Sequence, residues 1–257
     1  MTATRLGQLL RFGVLWLSVS VWLPTPTAAG ESMSPKAPTP ALGSTQAPPP
    51  PVGESESDCA LGVAERVQAY YNQIADFEAE FEQVTRSVAL GRGEVGNEVA
   101  RGKVVMAKPG KMRWEYSEPR ESLVLSDGEN LWLYDVAAGE AQHMVASGGY
   151  LSGAALQFLM GRGVIADDFV VTSPSCSSES AVVELTLEPR AYASYERLGL
   201  RVVRSTGEVK ATTLVDLFGS VTTISFHSAR INQAPPEGTF RFDLPPGVEL
   251  IELQPPQ

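Results

Sequence analysis

The chain has 257 residues, with 30 acidic side chains against 20 basic ones, two histidines and two cysteines. A net charge of −10 excludes nucleic acid as a partner, because neutralising phosphates requires a basic face. Two histidines and two cysteines, far apart in sequence, are too few ligands for the usual zinc or iron–sulfur centres, so neither a metal nor a cofactor is expected.

Residues 1–29 read as a secretory signal peptide: Arg5 and Arg11 form a basic start, Phe12 to Leu23 a short apolar run, and Thr27-Ala28-Ala29 a small-residue cleavage region. About 12 apolar residues fall short of the roughly 20 needed to span a bilayer. Without Arg5 and Arg11 the chain keeps 18 of its 20 basic residues and all 30 acidic ones, a charge of −12. Residues 30–57 hold seven prolines and no aromatic side chain, so they cannot bury apolar surface and are expected to form a disordered linker. The folded domain is expected over 58–257. Cys59 and Cys176 are the only thiols. In an oxidising compartment such a pair is more often bridged than free, so a disulfide is expected between them.

From Asp58, a plausible N-cap, the apolar positions Leu61, Ala64, Val67, Tyr71 and Ile74 recur at three and four residues, one face of a helix. The period then becomes two. Phe77, Ala79, Phe81, Gln83 and Thr85 alternate with Glu78, Glu80, Glu82 and Val84, the pattern of a strand with one wet face. Further strands are predicted at Glu98–Ala107, Met112–Tyr116, Leu123–Leu125, Leu131–Asp135 and Ala141–Val145, with turns at Lys108-Pro109-Gly110 and Asp127-Gly128. Leu151–Met160 reads as a second helix, stopped by Gly161 and Gly163. Strands resume at Phe169–Thr172, Val182–Leu187, Leu198–Arg204, Glu208–Phe218, Val221–Ala229 and Phe240–Phe242. About eleven alternating strands with two or three helices imply an α+β fold. Its antiparallel sheet should curl into an incomplete barrel, whose inner face must be filled by side chains or by a ligand, with helices across its mouth as a lid.

Enzyme motifs are missing from the sequence. Gly91-Arg-Gly-Glu-Val-Gly96 has dinucleotide-loop spacing, but it lies between two strands and carries Glu94, which repels phosphate, so it reads as a hairpin loop. There is no GxSxG, HExxH or Walker lysine loop, and His143 reads as a rim residue rather than a base. Asp167-Asp168 reads as a turn or cap ahead of a strand.

The run Lys108-Pro-Gly-Lys-Met112-Arg-Trp114-Glu-Tyr116, followed by Pro119, the turn Ser126-Asp-Gly128 and Leu131-Trp-Leu-Tyr134, resembles the outer-membrane lipoprotein carrier family, LolA. Three further segments agree in order: Phe77-Glu-Ala-Glu-Phe81-Glu-Gln83, Ala154–Gly161 where that family has a lid helix, and Phe240-Arg-Phe242-Asp-Leu-Pro-Pro-Gly247-Val248. The resemblance covers roughly 58–253. It implies an incomplete barrel lidded by helices around a hydrophobic cavity. It also implies a monomeric, non-enzymatic periplasmic carrier of triacylated lipoproteins, taking them from an inner-membrane ABC transporter to an outer-membrane receptor. By the same correspondence Phe77, Phe81, Met112, Trp114, Val124, Trp132, Leu156, Phe158 and Met160 line the acyl-chain cavity. Which face holds Trp132 is not set by its parity with Tyr134. Lys108 stands where the family has an arginine that latches the lid through its carbonyls, a departure that keeps the charge but loses the planar fork. Carriage of another amphiphile such as a glycolipid, or envelope sensing on the same half-barrel, is the alternative the resemblance leaves open.

Overall fold

The computed structural model describes residues 56–89, 93–145, 163–174, 176 and 180–253. The opening helix α1 spans Glu56–Asn72, so Glu56 and Ser57, expected in the linker, are already helical and Asp58 lies in the first turn rather than capping it. It buries Ala60, Val63, Ala64, Val67 and Tyr71, while Leu61, expected on that face, is 40% exposed. The strands are β1 (Asp76–Ala89), β2 (Gly93–Ala107), β3 (Lys111–Glu118), β4 (Ser122–Asp127), β5 (Asn130–Asp135) and β6 (Glu140–Val145). A short helix α2 (Ile165–Asp168) precedes β7 (Phe169–Thr172), β8 (Val182–Pro189), β9 (Tyr195–Val203), β10 (Val209–Asp216), β11 (Val221–Ile231) and β12 (Glu249–Glu252). Asp167 and Asp168 thus belong to α2. The helix expected at Leu151–Met160 lies outside the described residues.

All twelve strands form one sheet in the order β12-β6-β5-β4-β3-β2-β1-β11-β10-β9-β8-β7. Neighbours are antiparallel except β12, which runs parallel to β6. The two ends of this order are not paired with each other, so the barrel is incomplete. Phe240–Phe242, expected to be a strand, is not one. Pro235, Pro236, Pro245 and Pro246 deny ladder N–H groups around it, and the closing strand forms only at Glu249. Phe242 instead stacks on Trp132, with ring centroids 5.9 Å apart, and Arg113 donates to the Thr239 carbonyl at 3.2 Å. The C-terminal segment therefore covers the outer face of β3–β6.

Helix α1 covers part of the inner face, packing on β7, β8 and α2. It lies so close to the β9–β10 turn that a Cβ on Gly207 would sit 2.3 Å from the Arg66 carbonyl oxygen. Gly207 has φ +79°, a conformation only glycine adopts cheaply. Gln68 accepts from the Ile165 amide at 3.0 Å. At the helix start, Cys59 is disulfide-bonded to Cys176, with Cα atoms 6.0 Å apart. Beyond its far end the Asp76 carboxylate, 7% exposed, accepts from the Gln233 and Ala234 amides at 2.7 and 3.0 Å, fixing the start of β1 to the end of β11.

The bridge closes a chain segment of 117 residues, which restricts the unfolded ensemble strongly and is worth about 2–4 kcal/mol in typical cases. Urea unfolding with and without reductant is expected to show a loss of that size, and an unchanged midpoint would show that the bridge adds nothing to stability.

Candidate functional site: the concave face

Strand partners point to the same side of a sheet, so the register sorts every side chain. Phe77, Ala79, Phe81, Gln83 and Thr85 of β1 face Met106, Val104, Gly102, Ala100 and Glu98 of β2. Met106, Val104 and Gly102 face Met112, Trp114 and Tyr116 of β3, and Trp114 faces Val124 of β4. On the other flank Phe81 pairs with Phe226, Gln83 with Ile224 and Thr85 with Thr222. These residues share one face, and that face is the concave one. Trp114 and Phe226 sit three strands apart, roughly 14 Å along a flat sheet, yet their ring centroids are 6.5 Å apart.

Large and small residues alternate across this face so that the rings interlock. Phe81 lies 4.9 Å from Trp114 and 5.0 Å from Tyr116, and Phe77 lies 5.5 Å from Phe226, all between ring centroids. Space for Phe81 comes from Gly102, where a Cβ would stand 3.0 Å from the Phe81 ring and 1.8 Å from the Glu115 carbonyl oxygen. The register shifts at the same point: Arg101 pairs with Glu118 and Gly102 with Tyr116, so Ser117 is an extra residue that bulges β3. Met106 and Met112 border the aromatic group, and their flexible thioethers suit a surface that must adapt its shape. Burial raises the Tyr116 hydroxyl above the usual phenol range, offset in part by the Trp114 indole. That hydroxyl donates to Gln83 Oε1 at 3.0 Å.

Of the residues singled out by sequence, Phe77, Phe81, Met112 and Val124 are buried on this face and Trp114 is half-buried there. Leu156, Phe158 and Met160 lie outside the described residues. Trp132 is on the opposite, convex face. It pairs with Leu125, the neighbour of inward-facing Val124, and stacks between Phe242 and His143. The turn contained the missing signal: with Gly128 and Glu129 between the strands, Asp127 stands opposite Asn130, which puts Leu125 opposite Trp132. His143 is held by Glu252 at 2.6 Å and Asn130 at 3.1 Å; it ties β12 to the sheet.

The ammonium of Lys108 donates to the Tyr71 carbonyl in the last turn of α1. The segment 154–161, expected to be its partner, lies outside the described residues, and this contact ties Lys108 to α1. A cation is favoured there by the helix dipole, although burial lowers the Lys108 pKa from the ordinary lysine value. Phe226 and Ile224 were missed because β11 reaches β1 across more than a hundred residues and no local pattern encodes that pairing.

Comparisons with known proteins show which family the chain belongs to. The family model for "Outer membrane lipoprotein carrier protein LolA" matches residues 72–243. The chain belongs to the LolA family. Relatives named outer-membrane lipoprotein carrier protein include one from Dechloromonas aromatica, 28% identical over 193 residues, 74% of this chain and 88% of the relative. Another, from Pseudomonas putida strain W619, is 30% identical over 175 residues, 68% and 79% of the two chains. The LolA superfamily protein NE2245 from Nitrosomonas europaea superposes with a TM-score of 0.40 at 14% identity, over 71% of this chain and 97% of that one. The match spans the helix end, the aromatic face and the C-terminal segment on which this LolA-family fold is built, and no helix among the described residues is long and apolar enough to cross a membrane.

Gly102→Val places side-chain atoms inside the Glu115 carbonyl and the Phe81 ring. It is expected to cost more than about 3 kcal/mol, an overpacking error joined to a broken ladder. Thermal unfolding checks this, and a variant as stable as the parent would show that β2 and β3 do not approach so closely.

Proposed function

We propose that this protein carries acylated lipoproteins through the periplasm, holding their acyl chains against the concave face and passing them from an inner-membrane ABC transporter to an outer-membrane receptor. The observation that carries this reading is the interlocked, adaptable group of Phe77, Phe81, Met112, Trp114 and Phe226 on the inner side of an open barrel. Exposing an acyl chain to water costs about 0.8 kcal/mol per methylene, so a 16-carbon chain costs roughly 12 kcal/mol and does not cross an aqueous gap unaided. A carrier must offset that cost and still release its load, which favours an apolar surface with few fixed polar contacts. Family membership supports the lipoprotein as cargo.

In this reading residues 1–29 direct export and are removed, residues 30–55 ahead of α1 act as a tether, and the protein works as a soluble monomer without enzymatic activity or cofactor. Leu156, Phe158 and Met160 complete the lining from the lid side, and Lys108 sets how firmly α1 is held while cargo enters. The acidic surface fits basic docking patches on its partners.

Incubated with spheroplasts that make a labelled triacylated lipoprotein, the purified protein is expected to bring the lipoprotein into the supernatant as a one-to-one complex. Phe226→Glu is expected to reduce release at least tenfold, since a charge on the concave face opposes chain burial. No release by the folded parent protein would contradict the carrier reading.

A further inference from the structure

The concave face is not uniformly apolar. Beside the aromatic group runs a string of hydrogen bonds across three strands: Tyr116 donates to Gln83 at 3.0 Å, Gln83 Nε2 donates to Thr85 Oγ1 at 3.4 Å, and the Thr85 and Thr222 hydroxyls are 3.3 Å apart. Thr85 and Thr222 are register partners and half-buried. Elsewhere on this face, in β8 and β9, the corresponding positions hold Val183, Leu185, Leu187, Leu198, Leu200 and Val202. Valine has the shape of threonine, so packing alone does not call for hydroxyls here, and a hydroxyl taken from water without a partner is costly.

Hydrogen-bond arithmetic shows what the string offers. Thr85 Oγ1 already accepts from Gln83, and one bond joins the two threonines. Each hydroxyl has one proton, so whichever way that bond runs, one proton of the pair is left to point away from its partner. Among the described residues neither hydroxyl has another acceptor. The string thus ends in a neutral donor on the concave side of the sheet. Glu98, the β2 partner of Thr85 on the same face, opposes an anionic ligand such as a free carboxylate or a phosphate.

We infer that Thr85 and Thr222 form a subsite for the ester carbonyls that attach acyl chains to their glyceryl group, with Gln83 and Tyr116 as positioning residues behind them. This rests on the carrier reading and extends it: the aromatic face takes the chains, and the threonine pair fixes how far along the face the head of the amphiphile sits. An ether-linked ligand with the same chains lacks the carbonyl acceptors and leaves the donor unpaired.

The test is displacement of an apolar fluorescent probe from the full chain by two short-chain diacylglycerol analogues, one ester-linked and one ether-linked. The ester is expected to bind about threefold to tenfold more tightly, the scale of one neutral hydrogen bond. In the Thr85→Val/Thr222→Val double variant the two analogues should become equivalent, with ether affinity unchanged. That unchanged affinity also shows that the variant is folded. Equal binding of ester and ether by the parent protein, or a preference that survives in the double variant, would overturn the subsite while leaving the carrier reading intact. Failure of both analogues to displace the probe would overturn the carrier reading and the subsite with it.

Discussion

The close approach of β2 to β3 at Gly102 is the constraint on which the concave face depends. With no side chain there, the Glu115 carbonyl and the Phe81 ring share space that a single methyl group would occupy. Phe81 then lies low enough to meet Trp114 and Tyr116 together, and Phe226 comes in from the other flank. The aromatic lining depends on that one residue. A flat sheet with the same strands would spread these rings apart and expose each of them.

The two faces are finished differently, and the difference bears on function. On the convex side the C-terminal segment lies over β3–β6, joined through Phe242, the Arg113–Thr239 hydrogen bond and the His143–Glu252 contact. Leu125 and Ala141 beneath it are fully buried. On the concave side α1 is fixed at both ends, by the Cys59–Cys176 bridge and by Lys108 on the Tyr71 carbonyl. It packs over β7 and β8, so the aromatic half of the face, from β3 to β11, is built from side chains on strands rather than from the helix. In the proposed role this division is useful: a rigid outer cover and a fixed helix hold the curvature, while Met106 and Met112 adapt to different chains.

Alternation carried most of the fold. Phe77 and Phe81 read correctly as one face because period two holds throughout β1, and the parity of Met112, Trp114 and Tyr116 held for the same reason. Reading failed where the answer lay in pairing rather than in period. Trp132 was placed in the cavity by resemblance, and the two-residue turn after Asp127 sends it to the convex face. The closing Phe-x-Phe segment had strand-like composition, but its flanking prolines leave it to cover the sheet instead of joining it. The threonine pair was invisible because Thr85 and Thr222 come together only through the β1–β11 ladder, which no local signal predicts.

Only Trp114 and Trp132 of the four tryptophans lie outside residues 1–29, and they stand on opposite faces of the sheet. Fluorescence quenching by a lipid with brominated acyl chains therefore reads the face directly, using Trp132→Phe to isolate Trp114 and Trp114→Phe to isolate Trp132, with residues 1–29 absent. The account predicts strong quenching of Trp114 and little change for Trp132. Quenching of Trp132 with Trp114 unaffected, or of neither with lipid bound, would contradict the concave face as the acyl-chain site.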